Sequence, residues 1–161
     1  MGGEIAQNDE WDHDTSLDWH LLDHPDHAGM QALVRALNTT YRAEPALWEQ
    51  DFDWGGFRWM DPDESANSVL SFLRFPASAG RPVACLANLT PVPRHDYRIG
   101  LPQPGSWTEI LNSDSAVFGG GNTLAGTVTA GAPGWNDLDY SATLTLPPLG
   151  VLWLAHDPDR D

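Results

Sequence analysis

A chain of 161 residues carrying 23 acidic and 8 basic side chains, for a formal charge of -15, is long enough to bury one core. It is far short of the roughly 250 residues that a closed (β/α)₈ barrel occupies. All eight basic residues are arginines, and a surface this acidic repels phosphate backbones and anionic lipid, which excludes nucleic acid and membrane as expected partners and favours a neutral or cationic ligand.

Residues 1–22, MGGEIAQNDEWDHDTSLDWHLL, show neither a strand period nor a long helical one. Glu4, Asp9, Glu10, Asp12, Asp14 and Asp18 are interspersed with the indoles of Trp11 and Trp19. Carboxylates accept hydrogen bonds from hydroxyls, and flat rings cover the C–H faces of a polyhydroxylated ligand. The same composition also reads as an irregular loop packed under a larger domain.

Residues 23–43 read as one amphipathic helix. Met30, Leu33, Val34, Leu37 and Tyr41 recur at the i, i+3, i+4, i+7 spacing of a single apolar stripe. Asp23 ahead of Pro25 suits the start, Asp26 suits the positive end of the dipole, and Arg42 with Pro45 marks the stop. Residues 46–61, ALWEQDFDWGGFRWMD, form a hinge. There Trp48, Phe52, Trp54, Phe57 and Trp59 crowd around the Gly55-Gly56 turn signal.

Beyond the hinge the pattern is β throughout. Apolar runs at 68–75, 82–89, 95–101, 106–113, 123–130, 141–147 and 150–155 are separated by Pro, Gly, Asn and Asp. This predicts an antiparallel β-sandwich rather than βαβ units. The glycine-rich loop at 114–122 is expected to be mobile, and the tail HDPDRD to fray. Leu152 and Leu154 face one side of the last strand, and Val151, Trp153 and Ala155 the other. That strand should therefore be buried on both faces, with the helix at 23–43 as one cover.

Chemistry-bearing residues are few. Cys85 lies in the apolar run PVACLANL, with no neighbouring cation to lower its pKa, and reads as a buried structural thiol. Glu4 with Glu10, or Asp12 with Asp14, could pair, but acidic pairs in loops are usually solvated, and general acid catalysis needs a pocket that raises one pKa. His13, His20, His24 and His27 raise a metal reading, yet no cysteine or carboxylate–histidine signature joins them. No metal, no cofactor and no catalytic residue is expected. With no signal peptide, lipidation motif or apolar run near 18 residues, a cytoplasmic location is expected.

The stretches MGGEIAQNDEWDHDTSLDWHLL, HAGMQALVRALNTTYR, PALWEQDFDWGGFRWMD, ANLTPVPRHDYRIGLPQPGSWTEILNSD and LTLPPLGVLWL together resemble, in order, the end of bacterial 1,4-α-glucan (glycogen) branching enzymes of the α-amylase superfamily. Ile5 stands where that family usually has Phe, and the stretch from Phe118 to Thr127 departs from it. The resemblance implies a mainly β fold. An antiparallel β-sandwich of the α-amylase C-terminal type, residues 46–161, would follow a terminal loop and the last amphipathic helix of a catalytic barrel, residues 1–45. It also implies that the catalytic carboxylates, which in a retaining enzyme stand about 5–5.5 Å apart, belong to barrel strands upstream of Met1. The chain alone is then expected to be inactive.

What the resemblance leaves is contact with α-glucan, the expected partner alongside the missing catalytic barrel. It puts Glu4, Gln7 and Trp11 near the glucan groove and implies that aromatics of the β region hold glucan chains. Trp54 and Trp59, beside the Gly-Gly turn, are the candidates, although Trp59 reads equally as core at the junction. Three functions are compatible: the inactive end of a branching enzyme, a free-standing glycogen-binding module, or a subunit docking on a separately encoded barrel.

Overall fold

A computed structural model describes residues 1–78 and 80–158. The long helix, α1, runs Pro25–Ala43, two residues later than the sequence predicts. His24 is its N-cap without a side-chain bond, because Trp19–Asp23 is a 3₁₀ turn of its own. Pro25 occupies the first turn with Asp26, Arg42 lies in the last, and the Glu44 N–H donates to Thr40 O before Pro45 ends the helix.

Eight strands follow among the described residues: β1 Phe57–Trp59, β2 Val69–Arg74, β3 Val83–Asn88, β4 Arg94–Leu101, β5 Gly105–Asn112, β6 Thr127–Ala130, β7 Tyr140–Leu146 and β8 Gly150–Asp157. Six pair antiparallel in the order β1-β2-β3-β8-β5-β6, while β4 and β7 pair with each other. Between the sheets lies the main core, which includes Leu73, Leu86, Leu101, Trp107, Leu144, Leu146, Leu152 and Leu154. Each such side chain, when fully buried, contributes about 1.5–3 kcal/mol relative to exposure. The Trp107 indole N–H donates to Gln103 O at 3.1 Å, so its burial leaves no orphan donor.

Strand β8 is apolar on both faces, as read from its sequence. Leu152 and Leu154 enter the main core, and Ala155 with Trp153 joins a second cluster of Ala46, Leu47, Val83 and Cys85. The cover on that outer face is the 3₁₀ turn Pro45–Leu47, just past α1. Helix α1 is therefore not the cover expected for β8, and its apolar stripe stays partly open. Met30, Leu33, Val34 and Leu37 are only half-buried, Tyr41 is exposed, and the buried helix residue is Gly29. A Cβ there would lie 2.5 Å from Phe118 O, so at this point the helix meets the loop after β5 by close backbone approach.

Two ion pairs fasten the helix end to the sheet. Arg81 donates to both carboxylate oxygens of buried Glu44, and Arg74 donates to Ala46 O, Leu47 O and the Asp51 carboxylate.

Three expectations about segments change. Strand β6 starts at Thr127 rather than 123, because the N–H groups before it are already taken: Thr123 by Asp114 Oδ2 at 2.8 Å, and Ala125 and Gly126 by Glu109 Oε2. The loop at 114–122 is not a free tether but is folded around Asp114. The final strand runs on through His156 and Asp157, which pair with Trp107 and Ser106. Pro158 follows, exposed, and residues 159–161 of the tail expected to fray lie outside the described residues.

Candidate functional site

The N-terminal loop is held by its own backbone. Gly2 and Ala6 both take positive φ, 86° and 50°, on either side of the 3₁₀ turn Gly3–Ile5. This buries Ile5, whose carbonyl accepts from His27 Nδ1 at 2.8 Å. Gln7 is a brace: Oε1 accepts the Asp18 N–H at 3.0 Å, and Nε2 donates to Asp9 O. Its amide is therefore occupied within the loop. Glu4 is exposed and lines a groove of about 600 Å³ with Gln31, Val34, Arg35, Asn38 and Arg42 of α1. Trp11 is 46% exposed, its ring 6.3 Å from that of His13.

The carboxylates and histidines of this loop are solvated. Asp12 Oδ1 accepts the Asp14 N–H at 2.9 Å, and His13 lies 3.8 Å from Asp12 and 3.4 Å from Asp14. One ligand atom from each of the three can come within 4.8 Å of the others, all of them exposed, where such groups are common without an ion. His27 is engaged with Ile5 O, with the His24 ring 6.2 Å away. Cys85 is buried, and burial pushes its thiol up to about 12, too high to supply a thiolate near neutrality.

The hinge is built differently. Asp53 Oδ1 accepts the Gly55 N–H at 2.7 Å, capping the 3₁₀ turn Trp54–Gly56. A Cβ at Gly56 would strike Gln50 Cβ and Gln50 O, so the turn closes on the preceding loop only with glycine. Glu49 anchors the far side through the Ser78 N–H and hydroxyl and the Ala77 N–H. These bonds, Ser78 foremost, hold its carboxyl below the usual range. With its base fixed this way, the loop projects Trp54, 89% exposed, and Phe52, fully exposed.

Trp59 is packed on one side and open on the other. It is 45% exposed, yet its ring meets Phe57 edge-on at 4.9 Å and Phe72 at 6.1 Å, with Phe57 stacked on Phe72 at 5.3 Å. A cleft of about 330 Å³ is lined by Asp51, Phe52, Asp53, Trp54, Phe57 and Arg74. A second, of about 360 Å³, runs along Trp59, Asp61, Pro62, Asp63, Glu64 and Ser65. Behind it the Tyr97 hydroxyl donates to Glu64 Oε2 at 3.4 Å. Burial first, and the Glu64 charge second, raise that phenol well above its ordinary value.

The five residues named from the sequence thus separate. Glu4 lines a groove on α1, Gln7 braces a loop, Trp11 stands by His13, and Trp54 and Trp59 line neighbouring clefts of the hinge. Sequence reasoning passed over Phe52 as a site residue. The signal was its setting, a phenyl ring between two aspartates in a loop, where no core position is available to it.

Comparison with known proteins adds the following. Residues 59–157 match the model of the α-amylase C-terminal all-β domain. The 1,4-α-glucan branching enzyme GlgB of Cereibacter sphaeroides is 54% identical over 156 residues, covering 96% of this chain and 21% of that protein. GlgB of Aquifex aeolicus is 48% identical over 158 residues, covering 98% of this chain and 25% of that protein. The chain thus spans about a fifth to a quarter of the length of these curated relatives, and it matches their carboxy-terminal part. Among solved structures, an α-amylase from H. orenii superposes with a TM-score of 0.47 at 17% identity, over 80% of this chain and 20% of that one.

Proposed function

Because the chain belongs to the family of α-amylase C-terminal all-β domains, we propose that it works as the carboxy-terminal part of a 1,4-α-glucan branching enzyme. In this role residues 46–161 form the β domain, and residues 1–45 supply the closing loop and last helix of a catalytic barrel. The observation that carries this reading is the 48–54% identity to two branching enzymes over nearly the whole chain. The half-buried stripe Met30, Leu33, Val34 and Leu37 supports a partner surface on α1, which the barrel would complete.

Branching transfers a glucan segment with retention, which requires a carboxylate nucleophile and a carboxylic acid about 5–5.5 Å apart in a site that raises the acid's pKa. Asp12 and Asp14 are solvated, as are Glu4 and Glu10, so the acidic pairs of this chain are not assigned that work. Its share is support and glucan contact. The exposed indole of Trp54 and the half-exposed indole of Trp59 are the plates on which glucose rings stack. One such contact contributes about 1 kcal/mol beyond area burial, so a single site binds weakly and a polymer is held by several at once.

Incubating the purified chain with amylose and following the iodine-complex colour tests the division of labour. The colour is expected to stay unchanged. Loss of the long-wavelength complex on incubation with this chain alone would contradict the assignment.

A further inference from the structure

The two hinge clefts have no lining residue in common, but a ring of one touches a ring of the other. Phe57 lines the first and Trp59 the second. Two residues apart on β1, these rings point to the same face of the strand, with centroids 4.9 Å apart. Each cleft combines an indole with carboxylates: Trp54 with Asp51 and Asp53, and Trp59 with Asp61, Asp63 and Glu64. Several of those acids are engaged, Asp51 by Arg74 and Asp61 by Asn136. Among the described residues, the side chain of exposed Asp63 has no such partner. Phe52, fully exposed, extends the first plate outwards. At the far end Leu89, also exposed, closes the second cleft. The charge of -15 disfavours an anionic occupant.

We propose that the two clefts form one continuous strip, Phe52–Trp54–Phe57–Trp59, that holds successive glucosyl units of a single unbranched α-glucan chain and so selects for chain length. This rests on the reading of Trp54 and Trp59 as glucan contacts. A short oligosaccharide fills one cleft or the other. A longer one that has entered the first cleft meets the second intramolecularly, so its affinity exceeds that of either cleft alone without any new contact. Selectivity for length then comes from the protein surface itself.

The test is a titration of the full chain with maltotriose and with maltoheptaose, followed by tryptophan fluorescence. Maltoheptaose is expected to bind roughly tenfold tighter or more. Trp54→Ala should return maltoheptaose to the affinity of maltotriose. Leu89→Arg should do the same, since it obstructs the second cleft from an exposed position without removing a packed ring. Trp59→Ala, checked by its melting curve, should match Leu89→Arg. Equal affinity for the two sugars would overturn the continuous strip while leaving glucan contact in place. Variants that weaken both sugars by the same factor would do likewise. Binding of neither sugar would overturn the glucan-contact reading, and the strip with it.

Discussion

At Asp114 a single carboxylate closes the connection between β5 and β6: Oδ1 accepts the Gly121 N–H and Oδ2 the Thr123 N–H, both at 2.8 Å. Burial by itself would raise this carboxyl. The N–H groups of Thr123 and Gly121 outweigh it, and the net effect holds the group below the usual aspartate range. A depressed folded-state pKa stabilises the protein above the unfolded aspartate value, about 3.9, and the contribution disappears as pH falls through the lower folded value. Asp114→Asn should therefore lower the melting temperature at pH 7, and the gap to wild type should narrow below about pH 4. A gap that stays constant with pH would show that the carboxylate's charge is not involved. Gly29 presents a different single-atom constraint. An alanine there gains about 1 kcal/mol in helix propensity but puts its Cβ 2.5 Å from Phe118 O, and such overpacking costs about 1–3 kcal/mol. Gly29→Ala should move the urea midpoint down. An upward shift would mean the helix lifts off the loop freely.

Among the elements, the C-terminal end of α1 is held by the Glu44–Arg81 pair, whose acid is buried and whose guanidinium is partly in solvent. Removing the cation strands a buried carboxylate, so Arg81→Ala should cost about 1–2 kcal/mol, less than a fully buried pair because of solvent screening. Adding Glu44→Gln should recover part of that loss, and chemical denaturation of the two single variants and the double gives the coupling directly. The strands were legible in the sequence because each is a short β-rich run ended by Pro, Gly, Asn or Asp, a local signal that survives without tertiary context. The docking of α1 was not. Periodicity finds apolar stripes, whereas at Gly29 this helix meets the loop after β5 backbone to backbone. Nor could local composition reveal the fold of residues 114–123, since three successive glycines read as slack until Asp114 reaches across seven and nine positions to claim the N–H groups. Of the candidate site, the outward placement of Trp54 and Trp59 was legible through the Gly-Gly turn. The bracing of the loop by the Gln7 amide was not legible, because its partner lies eleven residues away.

On the scale of the whole molecule, the acidic surface, the sandwich and the aromatic hinge combine into one account. A β domain kin to those of branching enzymes carries the exposed rings of Phe52 and Trp54 on a loop fixed by Asp53, Glu49 and Arg74. Affinity electrophoresis through gels with and without glycogen tests this most directly, using the wild-type chain, Trp54→Ala and Trp59→Ala. Glycogen should retard the wild type, and each substitution should restore part of its mobility while the far-UV spectrum stays unchanged. Equal migration of the wild type in both gels would contradict the account.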